Sequence, residues 1–278
     1  MTPLGGTAPA VAELAGGALA GVALAAGLGE RLRPLTDLRP KALCPVNEVP
    51  LLDLALARLA AQTGAGPAHL AVNAHHLAQQ IADHVGRRAH LSLERAEPLG
   101  TAGALGLLRP WIEGRHVLVT NSDIYLPGGL GDLVSGFDGE RCRLLVRELP
   151  AARQGDFRHG GRPVDYVGAC LLPWALVRRL QATPSGLYEV LWRDLDQRGE
   201  LDLVVTAAPA IDCGTPRDYL GANLQASGGR NVIGKGATVE GSLVRCVVWD
   251  GAHVGPHEQL ADVVRAGDRH HPVTVSAC

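Results

Sequence analysis

The sequence lacks any run of lysine and arginine long enough to follow a nucleic-acid backbone. Its 278 residues carry 26 Lys and Arg against 28 Asp and Glu, for a net charge of −2 with histidine neutral. Proteins that bind nucleic acids displace counterions from the phosphates with a clustered basic surface. The composition therefore indicates no nucleic-acid partner, whereas a small phosphorylated ligand needs only a few cations placed locally.

Paired cysteines are missing too. The six cysteines are scattered, and none forms a C-x-x-C pair. A chain of this length buries a substantial core without a disulfide framework. We therefore expect reduced thiols, a cytoplasmic location and no zinc site.

A long apolar run is absent as well. Residues 1–13 contain no Lys or Arg, so the basic start of a secretory signal is lacking. The uncharged run from Leu14 to Gly29 falls short of the ~20 apolar residues that a membrane span requires, and glycines dilute it. The sequence predicts no membrane partner and a disordered extension over residues 1–20.

What the sequence does contain is an alternation of short apolar runs, typical of buried strands, with segments of helical spacing. It predicts strands at 21–26, 68–72, 90–93, 116–120 and 203–206, and helices at 51–61, 77–85, 102–108, 187–197 and 216–225. Such alternation favours an α/β fold with a doubly wound, Rossmann-like mixed sheet. Ligands of such sheets bind beyond the carboxyl ends of the strands, where residues 27–29 and Asp123 are both expected.

After Gly228 and Gly229 the pattern changes. Residues 233–239 are similar to a hexapeptide repeat, and residues 252–255 fit the same style, which is typical of the coils of a β-helix. Fewer than about three repeats are not stable alone, so this segment must cover the main domain or a second subunit. We therefore divide the chain into a main domain (21–228), a short left-handed β-helical segment (229–268) that is a candidate homo-oligomer contact, and a tail (269–278).

A glycine-containing loop follows the first predicted strand. Gly27 and Gly29 allow backbone N–H groups to approach phosphate oxygens, and Arg31 and Lys41 can neutralise the charge of a triphosphate. The loop is not a Rossmann dinucleotide loop, since Leu32 stands where the third glycine belongs, and no G-K-[ST] follows as in a P-loop.

Four segments resemble, in the same order, the motifs of the sugar-1-phosphate nucleotidyltransferases, also called nucleotide-sugar pyrophosphorylases: residues 24–36 with Pro40-Lys41, residues 97–105, residues 117–123 and residues 211–216. The resemblance extends over residues 22–224 and the short C-terminal segment. It implies the nucleotidyltransferase fold for the main domain, Mg²⁺ as cofactor, and a nucleoside triphosphate and a sugar 1-phosphate as substrates.

The resemblance also implies a role for each matched residue. Arg31, Lys41 and Asp123 are the expected catalytic residues, and Asp123 and Asp212 the expected magnesium ligands. The expected nucleotide contacts are Ala26, Gly27, Leu28, Gly29, Glu30, Arg31, Lys41, Gly100, Thr101 and Ala102. The expected contacts on the sugar side are Asn121, Asp123, Gly168 and Asp212.

The chemistry of such a transfer independently explains why residues of these types are expected in the site. An oxygen of the sugar phosphate attacks the α-phosphorus in line, so catalysis consists mainly of positioning and charge neutralisation. Magnesium prefers oxygen ligands, often one or two carboxylates together with phosphates and water. Asp123 and Asp212, on separate predicted strand ends, satisfy that preference.

The sequence also departs from the family pattern. Glu30 stands where threonine often follows the second glycine, and Ser122 stands where glycine usually precedes the first metal aspartate. More important, no Glu-Lys-Pro segment occurs between Asp123 and Gly168, although that lysine grips the sugar phosphate in many relatives. We expect Arg158 to supply this contact, with Arg162 and Arg147 as rivals, because arginine binds a phosphate at two points. The alternative is that magnesium and Lys41 suffice without a replacement.

The motifs leave the substrate open. Their style favours GTP with mannose 1-phosphate, followed by glucose-1-phosphate thymidylyl- or uridylyltransferases. Residues 155–158 are similar to a segment of the uridylyltransferases that act on N-acetylmuramic acid phosphate. A different class is a non-catalytic regulatory protein that binds nucleotide sugars, which usually loses an arginine or aspartate that this sequence keeps.

Overall fold

The structure, a computed structural model, describes residues 18–277. The predicted extension over residues 1–20 lies outside the described residues except for its last three, and two of those, Leu19 and Ala20, begin the first strand. The helices are α1 (Leu35–Leu38), α2 (Leu51–Thr63), α3 (Ala78–Val85), α4 (Gly100–Ile112), α5 (Gly131–Val134), α6 (Trp174–Val177), α7 (Arg193–Gln197) and α8 (Pro216–Ser227).

The strands divide between the main domain and the C-terminal segment. Those of the main domain are β1 (Leu19–Leu24), β2 (Pro45–Val46), β3 (Val49–Pro50), β4 (Leu70–Ala74), β5 (His90–Leu93), β6 (His116–Asn121), β7 (Ile124–Tyr125), β8 (Cys142–Glu148), β9 (Phe157–His159), β10 (Arg162–Leu172), β11 (Leu201–Val205) and β12 (Ile211–Asp212). Those of the C-terminal segment are β13 (Val232–Ile233), β14 (Thr238–Val239), β15 (Ser242–Val244), β16 (Val247–Val248), β17 (His253–Val254), β18 (Gln259–Ala261), β19 (Val263–Gly267) and β20 (Pro272–Ser276).

The main sheet has eight strands, in the order β11-β8-β10-β6-β1-β4-β5 with β9 paired to β10. β1 runs parallel to β4 and β6, whereas β10 runs antiparallel to β6 and β8. The sheet is therefore mixed, as predicted. Parallel β1, β4, β5 and β6 bring their carboxyl ends to one edge, which is where the loops that follow them meet.

Helices cover both faces of this sheet. Alternate side chains of β1 point to opposite faces, so Val22 packs with Leu105 of α4 and Ala23 lies in the core that contains Leu52 of α2 and Ile81 of α3. This arrangement confirms the doubly wound α/β class.

The C-terminal strands wind into a β-helix-like segment, which confirms that part of the fold prediction. β13, β16 and β19 stack in parallel, as do β14 on β17 and β15 on β18, while β20 turns back antiparallel to β19. Val232, Val247 and Val264 share a buried cluster with Tyr219 of α8, so the segment covers the main domain. Its left-handed sense and the boundaries at 229–268 and 269–278 stay predictions, although β20 lies in the second range.

Residues 187–197 differ most from the predicted elements. The sequence predicts one helix, whereas the structure has a π-helical turn over Tyr188–Trp192 that continues into α7. Trp192 is buried against Tyr166, with ring centroids 4.8 Å apart. Hydrophobic spacing has no signature for such a turn, because it is a single local widening of the helix.

None of the helices within residues 18–277 combines the length and the apolar character that a membrane crossing requires.

Candidate active site

A buried lysine holds two carboxylates together at the carboxyl edge of the sheet. The Lys41 ammonium donates to Asp123 Oδ2 at 2.7 Å and to Asp212 Oδ1 at 3.0 Å. The lysine side chain is 8% exposed, while those of Asp123 and Asp212 are 36% and 52% exposed. The carboxylates therefore face solvent, and the cation reaches them from inside the protein.

Backbone pairing fixes the distance between these carboxylates. Asp123 follows β6, and the next residue, Ile124, pairs with Asp212 across the antiparallel β7–β12 ladder. The Cys213 N–H also donates to the Asp123 carbonyl at 3.0 Å. Two sequence motifs separated by 89 positions (212 minus 123) thus meet as neighbours on a short ladder.

The carboxylates also govern the protonation of the lysine. Burial by itself lowers the pKa of the Lys41 ammonium, but the charges and hydrogen bonds of Asp123 and Asp212 outweigh it and raise the pKa above its ordinary value of 10.5. Lys41 is therefore a permanent cation at physiological pH.

Arg31 adds a second cation on the exposed side. Its guanidinium lies 3.3 Å from Asp212 Oδ2 and is itself 68% exposed, so it is free to turn toward a ligand. A Cβ atom at Gly214 would lie 2.5 Å from the Arg31 guanidinium, so a side chain there would push the guanidinium out of its present position. Gly214 lies within the motif at residues 211–216 but is not among the predicted site residues.

The glycine-containing loop is open to solvent where a phosphate would approach. Nothing lies within 4 Å of a Cβ atom built at Gly27, and Gly27 and Leu28 are exposed, as is Glu30, while Ala26 is buried. Gly29 has φ +67 and its carbonyl accepts from the Thr36 hydroxyl at 2.8 Å, which closes the loop against α1.

The two carboxylates fit a divalent cation. Their oxygens converge on one point that a cation, Lys41, already occupies, and hard oxygen ligands are those that Mg²⁺ prefers. Among residues 18–277 no cluster of three or more His, Cys, Asp and Glu side chains has metal-binding geometry. Any ion here would need phosphate and water oxygens as further ligands, which suits magnesium bound together with a nucleotide.

The predicted nucleotide contacts Gly100, Thr101 and Ala102 begin α4, and another segment covers them. Gly100 has φ +69, and a Cβ atom there would lie 2.6 Å from the Ser185 carbonyl. The Ala102 N–H donates to that same carbonyl at 3.0 Å, and the Thr101 hydroxyl accepts from the Leu187 N–H at 2.8 Å. The sequence carries no signal for residues 185–187, because they approach through their backbone.

The predicted sugar-side residues Gly168 and Asn121 lie beside the aspartates. Gly168 has φ +79 within a bulge of β10, and a Cβ atom there would lie 2.1 Å from Ile124 and 3.4 Å from Asn121. A side chain at position 168 would therefore displace the residue that follows Asp123, and glycine keeps this side of the site open.

The three candidate arginines have different surroundings. Arg158 lies on the β9–β10 hairpin and donates to the Gly161 carbonyl at 2.8 Å, at the edge of a cavity of about 460 Å³. Arg162 pairs with Glu148 at 2.9 Å. Arg147 donates at 3.0 Å to the carbonyl of residue 210, two residues before Asp212. Arg147 thus bonds to the residue just before the strand that carries Asp212, and Arg158 bonds within its own hairpin.

Comparison with known proteins finds a family match for the part of the chain that contains Arg31, Lys41 and Asp123. Residues 20–146 match the family described as nucleotidyl transferase. N-acetylmuramate alpha-1-phosphate uridylyltransferase of Neisseria meningitidis is 39% identical over 107 residues, which are 36% of this chain and 45% of that protein. The catalytic subunit beta of mannose-1-phosphate guanylyltransferase from Danio rerio is 27% identical over 225 residues, 71% of this chain and 61% of that protein. The chain thus spans about half of the length of the curated relatives it matches.

A solved structure shares the fold. The crystal structure of a Thermus thermophilus protein described as mannose-1-phosphate geranyltransferase superposes with a TM-score of 0.69 at 19% identity, covering 93% of this chain and 95% of that chain. At this identity the likeness concerns the fold alone.

Proposed function

We propose that this protein transfers a nucleoside monophosphate from a nucleoside triphosphate to a sugar 1-phosphate and releases pyrophosphate, because residues 20–146 match the nucleotidyl transferase family. The observation that carries the proposal is the cluster in which Lys41 and Arg31 contact Asp123 and Asp212 beside an open glycine loop. Two cations and two carboxylates at one strand edge suit a reaction that needs charge neutralisation and no protein nucleophile.

Each residue has a defined task in this proposal. The open loop at Gly27 and Gly29 receives the triphosphate with its N–H groups. Arg31, already exposed, turns from Asp212 to the β- and γ-phosphates and stabilises the departing pyrophosphate. Lys41, which stays protonated, contacts the reacting phosphate from the buried side of the site.

Asp123 and Asp212 would hold Mg²⁺. When bound, the ion would supply positive charge to the reacting phosphates and bring them into line with the attacking oxygen. Lys41 and Arg31 would then contact phosphate oxygens instead of the carboxylates, so that the charge of the site stays balanced.

The substrate pair that we propose first is GTP with mannose 1-phosphate. Support comes from the guanylyltransferase relative, whose similarity extends over 225 residues. The second candidate is uridylyl transfer to a muramic acid phosphate, which the higher identity of the Neisseria relative and the segment 155–158 favour. Glucose-1-phosphate thymidylyl or uridylyl transfer is the third. We place the protein in the cytoplasm, where the five cysteines that are buried and unpaired within residues 18–277 would stay reduced.

The test is pyrophosphate release with magnesium, using GTP, UTP and dTTP against mannose 1-phosphate, glucose 1-phosphate and N-acetylmuramic acid 1-phosphate. We expect one pair to dominate. Asp123→Asn should then lower turnover at least about a hundredfold, because a charged ligand at the reaction centre is lost. Asp132→Asn changes an exposed carboxylate on α5 and serves as the matched control. If no substrate pair releases pyrophosphate, or if a folded Asp123→Asn protein has normal turnover, the proposal is contradicted and a non-catalytic binding role is favoured.

A further inference from the structure

A buried amide and a buried carboxyl group join the two loops that the proposed function assigns to the nucleotide. Asn73 is the penultimate residue of β4 and pairs with Leu24 of β1, and Glu94 directly follows β5. Both side chains belong to residues that are only 3% exposed. Neither residue belongs to a motif or to the cluster around Lys41, so the proposed chemistry leaves them without a role.

Three hydrogen bonds of 2.7 Å form one continuous chain. The Ala25 N–H, at the start of the glycine loop, donates to Asn73 Oδ1, and Asn73 Nδ2 donates to Glu94 Oε1. The Leu99 N–H, immediately before Gly100 at the start of α4, donates to Glu94 Oε2. The chain therefore runs from the glycine loop across the ends of β1, β4 and β5 to the loop before α4.

The groups at the two ends of this chain of hydrogen bonds fix the direction of every bond in it. Both terminal groups are backbone N–H donors, so each must meet an acceptor. Asn73 can offer its oxygen to Ala25 and still donate to Glu94, and the carboxyl group can then accept from both sides. Because an unsatisfied buried donor or acceptor is costly, the two side chains have one arrangement and hold both loops in it.

We propose that Asn73 and Glu94 are positioning residues that set the glycine loop and the loop before α4 at a fixed separation, so that one nucleotide can contact both. This inference rests on the proposed function only in naming those loops as nucleotide contacts. Neither residue needs to touch the nucleotide, since each acts through a backbone N–H of a loop.

The geometry provides a sharp test, because the central hydrogen bond can be reversed. In Asn73→Asp, a carboxylate oxygen replaces the amide donor and faces an oxygen of Glu94. In Glu94→Gln, the new side chain has one acceptor only, so its amide donor faces either Asn73 Nδ2 or the Leu99 N–H. In the double variant N73D/E94Q, the new amide donates to the new carboxyl group. Ala25 and Leu99 then both find acceptors again, so all three bonds return.

Two readouts apply. Each single variant should lower kcat/KM for GTP, UTP or dTTP, whichever the enzyme uses, at least about tenfold, which is 1.4 kcal/mol, and leave KM for the sugar phosphate within about twofold. The double variant should return to within about threefold of the parent. Amide hydrogen exchange is independent of turnover: N73D should speed exchange of the Leu99 amide, which Asn73 does not touch, and the double variant should restore its protection.

The exposed pair Gln79 and Asp83 on α3 is the matched control, since Gln79 Nε2 donates to Asp83 Oδ1 at 2.8 Å. Its variants Q79E, D83N and Q79E/D83N exchange the same groups and should change neither readout. A double variant N73D/E94Q that is as impaired as the singles, or a Leu99 amide unaffected by N73D, would overturn the proposal. So would a change of nucleotide preference in E94Q that N73D does not reverse, because Glu94 would then contact the base itself. Absence of turnover in the parent would contradict the proposed function, while the exchange experiment would still decide this inference.

Discussion

At the scale of single residues, the charges of the candidate site form a neutral cluster. Lys41 and Arg31 carry two positive charges, and Asp123 and Asp212 carry two negative ones, all within hydrogen-bond or ion-pair distance. Lys41 is 8% exposed, while the carboxylates face solvent, so an incoming metal ion would compete with Lys41 for the same oxygens.

We predict that Lys41→Gln separates ion binding from catalysis. Removing the ammonium leaves two carboxylates with less compensation, so Mn²⁺ should bind the protein without nucleotide at least about threefold more tightly, while turnover falls at least about a hundredfold. Electron paramagnetic resonance of a Mn²⁺ titration measures the first effect directly. Lys235→Gln, an exposed lysine of the C-terminal segment, is the control. An unchanged or weaker Mn²⁺ affinity contradicts the prediction.

The same ion pairs determine how the contribution of Lys41 to stability responds to pH. The pKa of Lys41 is raised on folding, so its stabilising effect is fully present below the ordinary value of 10.5 and is lost only as pH rises through the higher folded value. The difference in melting temperature between the parent and Lys41→Gln should therefore stay constant between about pH 7 and 9. A difference that shrinks across this window would show that another group titrates in the cluster.

Two thiols next to the site should be inert. Burial raises the pKa of both Cys44 and Cys213 to about 12, from an ordinary value of 9.0. At pH 8 the thiolate fraction is then about a thousandfold below that of a free cysteine. Peptide mass spectrometry after iodoacetamide treatment should find both unmodified in the native protein and modified in denaturant. Rapid labelling of either one in the folded protein is the contrary result.

At the scale of elements, α4 meets another segment backbone to backbone. A Cβ atom at Gly103 would lie 2.3 Å from the Thr183 carbonyl, and one at Gly106 would lie 2.2 Å from the Gln181 carbonyl. Glycines three positions apart on one helix face thus give residues 181–185 their close approach. The residues before Tyr188 are held against the start of α4 in this way.

This contact reverses the usual effect of a glycine-to-alanine change in a helix. Gly103→Ala should destabilise the protein by about 2 kcal/mol or more, because the new methyl group meets a backbone oxygen. Gly221→Ala, in α8 where nothing lies within 4 Å, should stabilise it by about 0.5–1 kcal/mol. Urea unfolding of both variants measures the two signs. Equal effects would mean that residues 181–185 move aside easily.

Local sequence patterns predict individual strands and motifs, but not the contacts between distant backbone segments. Apolar runs predicted β1, β4, β5 and β6, and the motifs predicted that Asp123 and Asp212 share a site, which the β7–β12 ladder brings together. The Ser185 contact and the Asn73–Glu94 pair were not predictable, because each depends on which distant backbone lies opposite. The assignment of Arg158 to the sugar phosphate stays a prediction, and the structure describes its hydrogen bond within the hairpin.

At the scale of the whole molecule, the C-terminal segment is a structural support for the domain that carries the site. Trp249 is buried, donates to the Tyr219 hydroxyl at 3.0 Å, and lies under the Arg39 guanidinium, 4.4 Å from its ring centroid. Tyr219 belongs to α8, which begins four residues after Asp212. The segment therefore stabilises the helix that follows the second site aspartate.

We predict that Trp249→Ala lowers the free energy of unfolding by about 3–5 kcal/mol, the usual cost of removing a large buried aromatic side chain. Val244→Ala, in the same segment but 57% exposed, should change it by less than about 0.5 kcal/mol. Denaturant titration gives both values. A loss below about 1 kcal/mol for Trp249→Ala would indicate that the segment is dispensable for the main domain.

The two ends of the stacked coils differ, and this difference limits where a duplicated repeat can be added. Ile233, Val248 and Arg265 occupy one aligned column, in which Ile233 is 45% exposed and Arg265 is buried and paired with Glu258. A duplicated repeat placed after Arg265 would have to stack on a charged position, beside a strand that already runs the other way. A repeat inserted between the first and second coils would meet apolar neighbours on both sides. A duplicated repeat is therefore compatible with the interior of the stacked coils and incompatible with their C-terminal end.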